Sequence, residues 1–493
     1  MLRGRNLRAG NPAEEGCLSF FYLLISMILA ELDKIMTATT TKIVAILGGG
    51  PVGLAAAAHV LERGMEPVVL EAGPDVAHAV RQWGHVRMFS PWEYNVDRAA
   101  ERLLDAVGWN KPQSDQYPTG AELVEQYLEP LATRTVLKDR IRTWSRVTSV
   151  GRVGFDKVKT KGREAAPFEI RYQNGKGPET LRADAVIDAS GTWFAPSPAG
   201  AGGLPAIGEG EARVQEHVAY GMPDVLGRDR ARYAGKSVAV LGAGHSAIGT
   251  LIDLARLKDE APATEIYWLL RGDTPEKAFG GGANDKLAAR GALGAAFAVL
   301  VAAGKIRVEK GFRVSHLSRD GERLRVGAGS ACCGRTVTVE ELVVATGLRP
   351  QLDFLREIRL ALDPALECPL ALAPLIDPNE HSCGTVRPHG ARELAQPEPG
   401  FYFAGIKSYG RAPTFLMLTG YEQVRSITAE IAGDHEAARK VELVLPETGV
   451  CSGPGPLATS GSGCEVPAAI APAGGCCAPA APQKAAKPQA CCG

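Results

Sequence analysis

The chain has 493 residues, with 55 Lys+Arg against 55 Asp+Glu, so its formal net charge is zero. Hydrophobic residues make up 45% and charged residues 22%, ordinary globular usage that allows a large core without staples. The even balance excludes nonspecific nucleic-acid binding, which needs surplus cations to neutralise phosphates, and a polybasic membrane-surface protein. At about 150 residues per domain the length suggests about three folding units. Glycine is abundant, 57 residues without a collagen period, which suits several tight turns against phosphates. The 11 cysteines are an odd set, six of them from Cys451 onward. That is no secreted disulfide framework, and the expected location is the reducing cytoplasm.

Residues 1–39 differ from the rest. Arg3, Arg5 and Arg8 precede an apolar run from Cys17 to Ala30, too short to span a bilayer, so no stable membrane insertion is expected. An artefactual upstream start with Met36 as the true one, a weak anchor and a signal peptide all stay open. Ile43–Leu47 then reads as a buried parallel strand, 51–64 as a helix and 67–71 as a second strand. Helices are expected near 97–107 and 120–133, and β-type patterns over 141–189. A second strand–glycine–helix unit begins at Lys236, and its next strand runs from Glu265 to Leu270. The stretch 283–303 reads as helix, 306–347 as strands, 401–404 as a strand and 412–432 as a helix. Beyond about Glu447 the chain is Ala, Pro, Gly and Ser, and cannot bury enough apolar surface to offset its ordering entropy.

The first unit carries Gly48-Gly49-Gly50-Pro51-Val52-Gly53 directly after a strand. In a G-x-G-x-x-G turn the first glycine allows the tight bend, the second admits a pyrophosphate, and the third lets helix and strand close up. The helix start then offers free N–H groups to the phosphates. Glu71, 23 positions after Gly48, can accept hydrogen bonds from a ribose. Ala72 beside it and Val147 are taken as further contacts. The second unit repeats the pattern with Gly242, Gly244, His245, Ser246 and Ala247, the last standing where the third glycine would be. Its next strand ends at Arg271, which can pair with a 2′-phosphate where a carboxylate would repel one. NADPH is therefore expected here in preference to NADH, although 29 positions from Gly242 is longer than usual.

Two such units imply two nucleotides, with FAD in the first and NADPH in the second. The expected fold class is α/β with two Rossmann-like dinucleotide-binding domains, the NADPH domain inserted in the FAD domain. The expected boundaries are 40–195 for the first part of the FAD domain, 196–350 for the NAD(P)H domain, 351–446 for the return segment and 447–493 for a disordered Cys-rich tail. Asp188-Ala189-Ser190-Gly191 and Val344-Ala345-Thr346-Gly347 end strands in small-residue turns where the chain would pass between domains. Ser190, Gly191, Thr346, Gly347, Gly405, Pro413 and Thr414 join the expected cofactor contacts. Where many flavin reductases have Gly-Asp, this chain has Gly405-Ile406-Lys407, which leaves the ribityl contact unassigned. Candidates for the flavin-side cleft are Trp83, His85, Arg87, Ser90, Trp92 and Tyr94, with core packing the competing role for both tryptophans. No cysteine pair lies between Gly73 and Gly191, and no C-x-x-C lies in the second unit. A dithiol acceptor is therefore not expected, and oxygen or another small acceptor is.

In these glycine units the chain resembles the flavin-containing and Baeyer–Villiger monooxygenases. His217-Val218-Ala219-Tyr220 is similar to part of their linking motif, but the preceding Phe-x-Gly is missing. It is more similar to the flavoprotein monooxygenases of arsenic-resistance operons. The matching stretches are Tyr117–Gly120, Ile187–Trp193, Tyr220–Gly227, Leu241–Ala247 and, most discriminating, Lys407–Phe415. The resemblance implies the two-domain fold, FAD and NADPH, and transfer of one oxygen atom of O2 to a nucleophilic atom of a small substrate. It implies an arsenical substrate by association only. Cys476, Cys477, Cys491 and Cys492 are then soft ligands for arsenite or a soft metal, or thiols of an unselected low-complexity tail. Two alternatives stay open: a flavin reductase serving a quinone, metal or protein acceptor, and a non-enzymatic thiol-rich metalloid-binding protein. The expected partners are the small substrate and O2, and a homodimer is an allowed assembly.

Overall fold

Alternation along the first strand builds the first layered domain. The computed structural model describes residues 41–280, 288–330, 334–380, 386–412 and 416–443, all within one compact unit. In β1 (Ile43–Leu47) Val44 and Ile46 face one core cluster, Ala45 and Leu47 another. A strand covered on both faces needs an unbroken apolar run, because successive side chains point to opposite sides. Next come β2 (Glu66–Leu70), β3 (Ile141–Arg142), the antiparallel meander β4 (Arg146–Arg152), β5 (Phe168–Asn174), β6 (Gly177–Ala183), and then β7 (Ala185–Asp188). Helix α1 (Pro51–Glu62) covers the Val44 face, and the meander's Phe168, Ile170 and Tyr172 cover the other.

The second domain repeats the plan. Its strands are β8 (Val218–Tyr220), β9 (Ser237–Leu241), β10 (Glu265–Leu269), β11 (Arg307–Glu309), β12 (Val314–Asp320), β13 (Arg323–Ala328), β14 (Arg335–Val339) and β15 (Glu341–Val344). Val238 and Val240 face helix α2 (His245–Glu260), while Ala239 and Leu241 face the β12–β14 meander. The chain then returns through β16 (Phe401–Phe403) and α3 (Met417–Ala432). Both parallel sheets have five strands, in the orders β16-β7-β1-β2-β3 and β11-β10-β9-β15-β8. The second sheet is inserted between β7 and β16 of the first. The two passages between them pair as Ser197 N–H to Gly347 O and Arg349 N–H to Ala195 O, both 2.8 Å.

One expected helix is broken in a way periodicity does not show. Residues 120–134 form α-turns at both ends and a π-turn over Val124–Leu128. Pro130 has no N–H for the carbonyl four residues back, that of Gln126. The Trp109 indole N–H donates to that carbonyl instead, at 2.7 Å. The wider turn is the local answer to the proline.

The return segment is clamped before β16 begins. Glu398 is buried, accepting from Arg152 Nε at 2.8 Å and from an Arg163 guanidinium N–H at 2.8 Å. The excess positive charge meets backbone carbonyls of Phe155, Asp156, Ala166, Glu357 and Pro399 and the Phe168 ring, 3.7 Å below Arg152 Cζ. Burial works to raise the Glu398 carboxyl, but hydrogen bonds from Arg163 and Arg152 overcome it and hold the carboxyl below its usual range. A depressed carboxyl stabilises the fold above its unfolded pKa and loses that contribution as pH falls through the folded pKa, so it is intact above about pH 5. Glu398→Gln should therefore cost about 3–5 kcal/mol at neutral pH, because two buried guanidiniums lose their counter-charge. Urea denaturation should also show a shallower loss of stability below about pH 5 in the variant than in the parent.

Candidate dinucleotide sites

In the first unit, the turn after β1 is closed from both sides. Gly48 has φ +100°, and a Cβ there would stand 2.8 Å from the Ala189 carbonyl oxygen at the end of β7. A Cβ on Gly53 would overlap the Gly48 carbonyl oxygen, so only glycine lets α1 approach this closely. Gly50 differs: nothing lies within 4 Å of its would-be Cβ. That open space stands at the start of α1, where Pro51 occupies the first turn. A pyrophosphate fits this cradle, with N–H groups and the helix dipole facing it. Glu71 closes the other side. Its Oε2 accepts from Gly49 N–H and its Oε1 from Gly73 N–H, both at 2.7 Å. Each oxygen retains a lone pair for a ribose hydroxyl. Ala72 follows at the half-buried turn.

The return segment meets this turn. A Cβ on Gly405 would be 3.3 Å from Val52 of α1, and one on Gly191 would be 3.8 Å from Ile406. Gly48, Val52, Ser190, Gly191 and Gly405 are thus brought to one place by strands far apart in sequence. Beneath them Lys407 and Asp188 form an ion pair of 2.6 Å with both side chains at 0% exposure. Lys407 Nζ also donates to Ser190 Oγ at 3.0 Å. Burial lowers the Lys407 pKa, and the Asp188 carboxylate opposes the shift. Behind the turn, Gln423 of α3 accepts from Gly405 N–H at 2.8 Å and donates to Ser408 Oγ at 2.9 Å. Its amide also donates to His389 Nε2 at 2.8 Å, so Nδ1 carries the imidazole proton and donates to the Arg387 carbonyl. Burial keeps this His389 below its usual pKa.

The flavin-side candidates separate. Trp92 is buried in the core at 2% exposure, the packing role. Trp83 is half-buried and packs against Gly120. The Ser90 hydroxyl is buried and donates to the Asn95 side chain at 2.8 Å. Arg87 is exposed, donating to the Tyr117 carbonyl and lying 3.7 Å from Glu122. It borders a cavity of about 430 Å³ that Trp92, Tyr117 and Gln126 also line. Phe89 packs edge-on against His245 of the second unit, ring centroids 5.1 Å apart. Burial raises the Asp253 carboxyl on α2, against the pull of Arg256 and of His85 from the first domain. Val147 lies on β4, at a register irregularity with β5, and packs on the core.

In the second unit a Cβ on Gly242 would crowd the Ala345 carbonyl, whereas Gly244 at the start of α2 faces open space. His245 is exposed and Ser246 half-buried there. Ala247 is fully buried where the first unit has Gly53, and its Cβ would lie 3.4 Å from a Cβ on Gly242. The long gap to Arg271 has a plain cause: α2 has 16 residues, against 12 in α1. Arg271 is exposed, and one N–H donates to the Ala201 carbonyl at 3.2 Å. Thr346 Oγ1 donates to the Ser197 carbonyl at 2.9 Å, placing Thr346 and Gly347 at the interdomain passage.

Pro413, Thr414, Cys476, Cys477, Cys491 and Cys492 lie outside the described residues, as do residues 1–39, Cys332, Cys333 and Cys383. Among the described residues no group of three His, Cys, Asp or Glu could hold a metal, and no helix is long and apolar enough to cross a membrane. Sequence reasoning missed the partners Asp188, Lys407, Gln423 and His389. For the two charges the available signal was their place, Asp188 closing one buried apolar strand and Lys407 following another, because such residues are almost never fully buried unless paired.

A family profile described as pyridine nucleotide-disulphide oxidoreductase matches residues 45–370. No curated protein matches the chain. Among solved structures, the bacillithiol disulfide reductase Bdr of Bacillus cereus is 19% identical, with a TM-score of 0.57, covering 80% of this chain and 100% of that one. The Bdr of Staphylococcus aureus is 16% identical, with a TM-score of 0.56 over 81% and 99%. An ornithine N-hydroxylase of Kutzneria sp. 744 is 17% identical, with a TM-score of 0.51 over 81% and 100%. These likenesses establish the fold, two Rossmann-like dinucleotide-binding domains with the second inserted in the first.

The glycine geometry separates folding from binding. Gly53→Ala should fail on both counts, with a lowered Tm and no dinucleotide bound. Gly50→Ala, with φ −82° and open space, should keep the parent Tm in the unliganded protein and weaken FAD binding about 10-fold or more by filling the cradle. Thermal unfolding with and without added FAD reads both.

Proposed function

The chain belongs to the pyridine nucleotide-disulphide oxidoreductase family, and on that premise we propose an FAD- and NADPH-dependent monooxygenase acting on a small nucleophilic substrate, with a trivalent arsenical as the first candidate. The observation that carries this reading is the absence of a cysteine pair beside either glycine unit. No cysteine occurs between Cys17 and Cys332, a span that includes both glycine units. Cys368 is buried and its thiol is pushed up to about 12 by burial, so it is not a ready thiolate. A family scaffold with no cysteine pair beside its glycine units is suited to passing electrons to a diffusible acceptor, and O2 is the simplest.

Each group of residues has a share in this work. When bound, FAD supplies the acceptor for the hydride of NADPH and the site of O2 activation. Glu71 and the Gly48–Gly53 turn would hold its adenosine and pyrophosphate. Gly242, Gly244, His245, Ser246 and Ala247 would hold the pyrophosphate of NADPH, and Arg271 its 2′-phosphate. Phe89 packs against His245 across the two glycine units, and exclusion of water between the units would favour oxygen transfer over peroxide release. The thiols of Cys476, Cys477, Cys491 and Cys492 would collect the arsenical in the cytoplasm. Deletion of residues 448–493 should then weaken arsenite binding.

Labelled O2 separates the readings. Incorporation of one atom into arsenite during NADPH oxidation is expected. NADPH oxidation matched by quinone or metal reduction without incorporation would replace the monooxygenase with a reductase. A purified protein carrying no flavin would leave only a thiol-rich binding protein. Arg271→Ala should raise the KM for NADPH about 10-fold or more at unchanged kcat, because a charge-assisted bond to phosphate is lost. The KM for NADH should not move.

A further inference from the structure

The strand order fixes what lies over each strand end. Along the first sheet, Glu71 follows β2, the glycine turn follows β1, Asp188–Ser190 ends β7, and Gly405–Tyr409 follows β16. Neighbouring strands are about 4.8 Å apart, so this row spans on the order of 15 Å. A dinucleotide with its ribose on Glu71 and its pyrophosphate at the start of α1 must continue over β7 and β16. In FAD that stretch is the ribityl chain, a polyol whose hydroxyls both donate and accept. Phosphate oxygens only accept.

The Ser190 hydroxyl distinguishes these two chemistries. Its proton goes to Asp188 Oδ1 at 2.6 Å, and one lone pair accepts from Lys407 Nζ at 3.0 Å. The Ser190 N–H is also spent on Asp188 Oδ1, at 3.1 Å. Exposed Ser190 therefore presents one remaining lone pair and no proton to the cleft. It can accept from a hydroxyl but cannot bind a phosphate oxygen. Lys407 is fixed in turn by Asp188 Oδ2 at 2.6 Å and by the Phe354 ring at 4.5 Å. We propose that Asp188 and Lys407 are positioning residues that hold the Ser190 hydroxyl as an acceptor for a ribityl hydroxyl of FAD. This rests on the assignment of FAD to the first unit. It supplies the contact left open where Ile406 and Lys407 stand in place of an acidic residue.

A purely structural staple between β7 and the return segment would affect every ligand of the first unit alike. ADP shares the adenosine and pyrophosphate with FAD but has no ribityl chain, so it separates the two roles. The experiment titrates flavin-stripped protein with FAD and with ADP, following intrinsic tryptophan fluorescence. Ser190→Ala should weaken FAD about 2- to 10-fold, the worth of one neutral hydrogen bond, and leave ADP unchanged. Ser190→Thr should restore FAD binding. Lys407→Met should weaken FAD in the parent but add little in the Ser190→Ala background, since both changes remove the same contact. Parent-like FAD binding by Ser190→Ala, or equal losses for FAD and ADP, would overturn the inference while leaving the FAD assignment standing. A parent protein that binds neither ligand would overturn both.

Discussion

The first domain exists only if the chain, after leaving it at β7, comes back to finish it. Three interactions secure that return, and the site is assembled by them. Glu398 docks between Arg152 and Arg163, β16 pairs in parallel with β7, and Lys407 closes on Asp188 across 219 positions of sequence. Closure entropy grows only with the logarithm of loop length, so a folded insertion of this size is tolerated once such contacts exist. The charges in these contacts are buried, which makes them weak sources of net stability. They are strong penalties against a wrong partner, because an unmatched buried charge is the expensive state. In this chain that penalty falls on the residues that bring Gly405 against Val52 and fix Ser190.

The two glycine units share one plan and differ where their ligands should differ. Both begin with a strand whose alternate residues enter two cores, and both leave open space at the helix start. The first closes tightly on Gly53, while the second has the fully buried Ala247 at that place. The first ends its second strand at a buried carboxylate already held by Gly49 and Gly73, the second at an exposed guanidinium. A carboxylate held by two N–H groups is preorganised for ribose hydroxyls. A largely exposed arginine is suited to a phosphate arriving from solvent.

Much of this was legible because it is local. Continuous apolar runs gave β1, β7 and β9, and the glycine spacing located both helix starts within a residue or two. The insertion followed from finding two units and a late apolar strand. The π-turn was readable in principle from Pro130, but its hydrogen-bond donor, Trp109, lies far enough upstream that spacing alone does not pair them. Ser90 and Trp92 are candidates for the flavin-side cleft in the sequence, Trp92 with core packing as its competing role, and the fold buries both; residue type alone gives neither burial nor direction. The largest omission was pairing. Arg152, Arg163, Glu398, Asp188 and Lys407 look like surface charges in a sequence. Only the closed sheet shows that they are among its most buried side chains.

The same closure bears on chemistry. In the proposed oxygen chemistry, water admitted beside the reacting atoms would favour side reactions such as peroxide release. Around the return turn the polar groups are indeed spent on one another: Gly405 N–H on Gln423, Gln423 on His389 and Ser408, Lys407 on Asp188 and Ser190. His389 is locked as the neutral Nδ1–H tautomer and has no proton to offer the cleft. The self-satisfied polar wall behind Gly405 and the cysteine-free span that holds both glycine units are the two features on which the proposed small-molecule acceptor rests.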